Sequence, residues 1–473
     1  GDIALAGGKF SATDNQVLGG TLSITADSEL TVSQGHTLTL SQAGGLALGA
    51  NMLTLSGGGS LVSGGLTLDN ASSKLVLNSI TVDNVSTTSD SLGLDVDADS
   101  TVTSLSVAKI TPVAIASGSS LSGGITVTAG SLKLTETGTL ASSISMSGGT
   151  LDADNSLTVS GALTHTGNIT IDVAETKTLT YTGTAISLGA NTLTLTGGGS
   201  LVSGGLTLND PSSMLLLNSI TVDSVSTSAD SSSGGLDVDD NSTVSSLSVA
   251  HITPVSIASG KTLSGAITVT AGSIKLDDTG TLASSISMSG GTLDADNSST
   301  VSGALSHTAD ITIDVAETKT LTYTGTAISL GTHTLTLSGG GTFVSGGLDL
   351  DNANSKLLLS SITVDNVSTS VDNSLGLDVD DDSTITSLSV AHTTPVSIAS
   401  GKTLSGAITV TAGSIKLAET GTLASSISMS GGTLDADKTL TVSGALTQSG
   451  DIVIDVADNK TLTYSGGNLN VGS

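Results

Sequence analysis

Residues 396–414 read "VSIASGKTLSGAITVTAGS" and run straight into residues 415–432, "IKLAETGTLASSISMSGG". The two stretches share one apolar skeleton. Val396, Ile398, Leu404, Ile408 and Val410 map onto Ile415, Leu417, Leu423, Ile427 and Met429, each 19 residues on, and Leu434, Ala436, Val442 and Leu446 carry four of these positions one period further. The alternation Val-Ser-Ile, Ile-Lys-Leu, Ile-Thr-Val is the period-two signature of strands with one face buried. Nothing sustains a helical period of 3.6.

A longer repeat contains the shorter one. "LTLSGGGSLVSGGLTLDNASSKL" from Leu53 returns as "LTLTGGGSLVSGGLTLNDPSSML" from Leu193 and "LTLSGGGTFVSGGLDLDNANSKL" from Leu335, at spacings of 140 and 142 residues. The chain thus divides into a divergent lead, 1–48, and three modules, 49–188, 189–330 and 331–473, all of one continuous array. Length changes between modules fall near Ser86, Ser226 and Ser368, in Ser- and Asp-rich stretches expected to be loops. The pattern predicts an all-β fold, a parallel β-solenoid (β-helix) with three short strands and about 20 residues per turn. Glycines take the corners that need positive φ, and aliphatic side chains stack into a column. About 23 turns at the ~4.8 Å strand spacing would make a rod of order 110 Å. A single turn buries too little to stand alone, so neighbouring turns are obligatory.

Composition agrees and sets bounds. The 473 residues include 59 Gly but no Cys or Trp, only 2 Phe and 3 Tyr, and 37% are hydrophobic, so the core is finely divided and aliphatic. The net charge of −29, with 13 cationic residues that are all Lys, leaves no basic patch for nucleic acid and favours a cationic partner or divalent metal. The lack of Cys fits an extracellular chain that does not depend on redox conditions. No apolar run approaches a membrane span, so membrane insertion is not expected.

Three sets of residues are candidates for chemistry. "LDVDAD" at Leu94, "LDVDDN" at Leu236 and "LDVDDD" at Leu377 send Asp95, Asp97, Asp237, Asp239, Asp378 and Asp380 outward. These are the only candidate metal ligands, for Ca²⁺, which takes six to eight oxygens. Solvated acidic corners that keep the array soluble and block sideways pairing are the favoured reading, and no cofactor is otherwise implied. Lys133, Lys275 and Lys416 precede Asp152, Asp294 and Asp435 by one turn, which predicts cross-strand ion pairs that fix register. The six His do not make a site: His165 and His307 become Gln448, and His251 and His392 correspond to Lys109. His165 and His307 are expected to be corner residues bonded to backbone.

Carbohydrate-active enzymes also use parallel β-helices, but they pair carboxylates with basic or aromatic groups in a once-only cleft. This chain has no Arg, its tyrosines recur as Tyr181, Tyr323 and Tyr464 in "TLTY", and no loop is long enough to form a cleft. No catalytic residue is assigned. An ice-binding threonine array is a further alternative, with "TLTYT" at Thr178 and "TLTLT" at Thr192. It looks broken, because adjacent turns present Ser, Asp and Lys.

The turns "VSIASGKTLSGAITV", "STVTSLSV" and "GGTLDADNSLTVSGALTHTGNITI" resemble those of large secreted bacterial β-helical repeat proteins: filamentous haemagglutinin-like proteins, autotransporter passenger domains, adhesins and surface filaments. The resemblance implies a secreted or cell-surface location and a non-enzymatic structural role as a rod or filament, with adhesion to a surface or glycan as the alternative. Residues 465–473, "SGGNLNVGS", stop partway through the pattern. Joined to the beginning they give "GSGDIALAGGKF", which matches "GANTLTLTGGGS" from Gly189. The expected partner is therefore a second copy stacked head to tail, the Ile3 and Leu5 side against the Leu469 and Val471 side. The competing expectation is an excerpt of one giant chain.

Overall fold

Alternation becomes strand at the scale of a single turn. Ser131–Leu134, Thr139–Leu140 and Ser143–Met146 are its three strands, and Thr150–Ala153 opens the next turn. Leu132, Leu134, Leu140, Ile144 and Met146 are buried, while Lys133, Thr139, Ser143 and Ser145 face outward. This computed structural model describes residues 1–467 and 469, and shows an all-β parallel solenoid of about 23 turns, about 20 residues per turn, with no helix among the described residues. Two compact units are present: Gly1–Ser228 with Ser232–Gly235 and Asn241–Ser245, and Ala229–Ser231 with Leu236–Asp240 and the chain from Ser246 onward. The division falls inside the second sequence module.

Within each unit, first strands pair only with first strands, in parallel. Thr150–Ala153, for example, lies between Ser131–Leu134 and Ile169–Val173. Second and third strands share one sheet instead of making two separate faces, except at the start, where Ile3–Ala6 and Leu22–Ala26 form a two-stranded sheet of their own. Ser120–Val127 is both strands fused, and it pairs with Thr139–Leu140 and with Ser143–Met146 of the next turn. Gly123 makes the fusion possible: at φ 120° its Cα passes so close to the preceding turn that a Cβ would lie 1.8 Å from the Val102 carbonyl oxygen. Gly406 does the same against Ile385.

The 19-residue register holds for Leu404, Ile408, Val410, Ile415 and Leu417, which pair with Leu423, Ile427, Met429, Leu434 and Ala436. It fails for Val396, which pairs with Leu417 and not Ile415. Thr394 takes the place above Ile415, fully buried, its hydroxyl donating to the His392 carbonyl at 3.1 Å. Thr111 and Thr253 repeat the arrangement. A shift of two residues keeps the same face inward, so periodicity alone could not reveal it. Ser86, Ser226 and Ser368 are not in loops either. They lie in the strands Thr81–Thr87, Thr221–Thr227 and Thr363–Thr369, and the irregular segments follow.

Candidate functional site

The six candidate aspartates divide by position. Asp95, Asp237 and Asp378 are half-buried, and Asp97, Asp239 and Asp380 are exposed. Lys74 pairs with Asp95 and Lys356 with Asp378, each at 2.5 Å. Met214 stands at the equivalent sequence position in the second module, and Asp237 forms no salt bridge among the described residues. Burial, and then Asp239, raise its carboxyl above the usual range. Asp378 and Asp380 line a 300 Å³ groove with Glu419, but among the described residues no group of three or more His, Asp or Glu is disposed to hold a metal ion.

The predicted lysine columns form, with an altered partner. Lys133, Lys275 and Lys416 sit in register with Asp152, Asp294 and Asp435, which are in register with Asp172, Asp314 and Asp455. Lys133 contacts Asp152 at 3.1 Å and Asp154 at 2.9 Å. Lys275 and Lys416 instead pair with Asp296 and Asp437, two residues beyond the expected partner. The amine bends toward a carboxylate at the strand end, and the register aspartate is left among like charges. Burial, with Asp296 next, pushes Asp294 up to about 6. Burial and Asp437 raise Asp435, and burial and Asp152 raise Asp172.

His165 and His307 sit against backbone as expected. His165 Nδ1 is 3.1 Å from the Gly167 carbonyl oxygen, and His307 lies 3.1 Å from those of Ala309 and Ser329. His251 and His392 instead lie beside Asp230 and Asp372, at 3.4 and 3.5 Å.

The threonine array is carried on by serine at many outward positions and broken at others, as where Thr180 and Thr322 lie in register with the exposed Val202 and Val344. On the sheet of second and third strands, Ser60, Thr81, Thr101 and Ser122 stack in register, as do Thr67, Ser86, Ser106, Thr126, Ser145 and Thr164. Some hydroxyls bond across turns, Thr101 to Ser122 at 2.8 Å. "TLTLT" at Thr192 lies in the other ladder, where Thr194 is in register with Leu216. Serine at the outward positions therefore continues the hydroxyl column where the sequence reading took it as an interruption.

Three open grooves recur at equivalent corners, where a first strand hands over to a second. One, of 260 Å³, is lined by Ser79, Thr81, Asp99, Thr101 and Ser122. The next, of 570 Å³, has Glu175, Ser219, Thr221, Asn241 and Thr243, and the third, of 500 Å³, has Glu317, Ser361, Thr363, Asp382 and Thr384. Ser79, Ser219 and Ser361 hold φ of 53, 54 and 55°, a left-handed conformation uncommon for a residue with a Cβ. Glu175 and Glu317 lie beside Gly198 and Gly340, and Gln34 takes the same place beside Gly58. The signal was present in the sequence as "NSITVD", "NSITVD" and "SSITVD", but it reads as ordinary strand.

Two further threefold features were also missed. Asp83 and Asp223 each accept bonds from the backbone and hydroxyl of Ser63 and Ser203 and from the next glycine N–H, and Asp365 clamps Ser345 likewise. The hydroxyls of Tyr181, Tyr323 and Tyr464 accept the backbone N–H of Leu163, Leu305 and Leu446 at 3.0, 3.1 and 3.1 Å. Compared with known proteins, the chain matches no family model, no curated protein and no solved structure.

Proposed function

We propose that this chain is a non-enzymatic structural segment of an extracellular, surface-associated rod or filament, of the kind built by secreted bacterial β-helical proteins. One observation carries the reading: the lysine columns, tyrosine plugs, aspartate clamps and corner grooves each occur as an equivalent set of three. An enzyme concentrates its chemistry in one place, whereas a spacer repeats one stabilising solution along its axis. The cysteine-free, acidic composition supports a secreted, cell-surface setting. Ca²⁺, nucleic acid and membrane insertion have no part in this reading.

The partner is another solenoid turn. In the last first-strand, Val453–Val456, three apolar residues, Val453, Ile454 and Val456, are exposed, and Ile3–Ala6 pairs only with Leu22–Ala26. A further turn laid on such an edge hides both the apolar column and the open backbone groups. It comes from a second copy stacked head to tail, or from the same polypeptide. Leu469, on one side of the expected contact, is exposed, and Val471 lies outside the described residues.

Electron microscopy of the purified protein across a concentration series, with its mass measured under denaturing conditions, tests this. Filaments built from a species near 45.9 kDa support stacking, and filaments of a much larger chain support covalent continuation. A compact monomer that never elongates overturns both.

A further inference from the structure

Beyond a spacer's role, the three grooves are the recesses of the surface that repeat at equivalent corners. Their walls are polar, their floors are strands already paired on both sides, and each crosses neighbouring turns. An added peptide strand would find no free backbone ladder, an apolar ligand would strand the hydroxyls, and the charge repels anions. Threonine and serine hydroxyls repeating at the ~4.8 Å strand spacing suit a chain of hydroxyl-bearing rings, because a pyranose is about one such spacing long. Glu175 and Glu317 add a carboxylate that makes no salt bridge among the described residues. The first groove is the smallest of the three and has Gln34 beside Gly58 where the others have Glu175 and Glu317, and its Asp99, like Asp382 of the third, is already occupied, by the Ser120 N–H and hydroxyl at 2.8 and 2.9 Å.

We propose that the grooves are repeated subsites for an extended oligosaccharide carrying free amines, a glucosamine-type chain, with hydroxyls of Thr221, Thr243, Thr363 and Thr384 meeting the sugar hydroxyls and Glu175 and Glu317 meeting ammonium groups. Aromatic platforms are absent from these grooves, so each site is weak. Affinity comes from several sites acting on one polymer.

The test is calorimetric titration of the full chain with tetramers of glucosamine, N-acetylglucosamine and galacturonate. The glucosamine tetramer should bind, the acetylated one about tenfold more weakly, as expected for loss of a charge-assisted bond, and the uronate not at all. Glu175→Gln with Glu317→Gln should bring glucosamine binding down to the acetylated level, and Glu136→Gln with Asp458→Asn should leave it unchanged. Thr221→Val with Thr363→Val should weaken both glucosamine and N-acetylglucosamine tetramers at unaltered circular dichroism. Absence of glucosamine binding, equal binding of all three tetramers, an equal effect of the two carboxylate pairs, or indifference to the valines overturns the proposal. None of these outcomes bears on whether the chain forms filaments.

Discussion

The two outer faces of this solenoid are built by the same alternation over the same aliphatic column, yet one ladder carries the lysine and aspartate columns and the other carries long columns of hydroxyls. Parallel, in-register stacking sets each outward residue about one strand spacing from its counterpart in the next turn. A repeated hydroxyl tolerates this, because each can donate and accept, as Thr101 and Ser122 do. A repeated carboxylate does not. The Lys133, Lys275 and Lys416 columns relieve only part of the repulsion: each continues into two aspartates in register, and the second or third member is left with a raised pKa. The difference teaches that in a solenoid duplication makes columns, and that a column's chemistry decides whether it stabilises or strains.

The largest expected effect tests what the faces share. Ile415 lies behind the charged ladder and Ile427 behind the hydroxyl ladder, and both are buried. Ile415→Asp and Ile427→Asp should each cost several kcal/mol by burying an unpaired charge, enough to abolish the cooperative melt of the adjacent turns by circular dichroism. Ser428→Asp, one residue on and facing out, should change stability by under ~0.5 kcal/mol. A tolerated Ile427→Asp would mean the two ladders do not enclose one core.

Much of that core was readable from the sequence, because period-two alternation reports inward and outward positions directly. The column partners Ile415 and Leu434 are correct, and so is the outward placement of Lys416 and Asp435. Three things were not readable. A slip of two residues at Val396 preserves alternation, so only the polar Thr394 marked it, and its burial depends on a local bond to the His392 carbonyl. The departure of Lys275 from Asp294 to Asp296 is a choice of side-chain direction that register does not fix. The grooves arise from corner geometry at Ser79, Ser219 and Ser361, residues with no composition cue for a left-handed φ.

The next effect belongs to the hydroxyl ladder alone. Tyr323 is buried, and its oxygen is the acceptor for the Leu305 N–H. Tyr323→Phe strands that donor, which should cost about 1–3 kcal/mol in chemical denaturation. Tyr464→Phe removes the same bond from Leu446 at a half-exposed position, where water can replace it, and should cost less. Equal losses would show that burial does not set the value of the plug.

On the charged ladder the expected sign reverses. Asp294 is raised to about 6 from 3.8, so above pH 6 its ionised form destabilises the fold, and that cost is relieved as the pH falls through about 6 toward 3.8. Asp294→Asn should therefore stabilise the protein at pH 7 by about 1 kcal/mol, allowing for solvent screening of a half-buried group. The variant should also gain less than the parent on acidification from pH 7 to 5. Thermal melts at the two pH values check this, and a variant whose gain equals the parent's would place the strain elsewhere.

The smallest effect sharpens the comparison most, because it installs on the neutral face the fault of the charged one. Thr126 and Ser145 are outward residues in register on adjacent turns. Thr126→Asp or Ser145→Asp alone puts one exposed carboxylate among hydroxyls, and each should shift stability by under ~0.5 kcal/mol. Together they create an in-register like-charge pair, so the double variant should be worse than the sum of the singles by about 0.2–1 kcal/mol. That excess should shrink at 1 M salt, where the screening length falls to about 3 Å, below the strand spacing. A double-mutant cycle by denaturant unfolding at low and high salt measures it. An excess that ignores salt would trace the penalty to packing or strand propensity, and the electrostatic account of the two faces would fail with it.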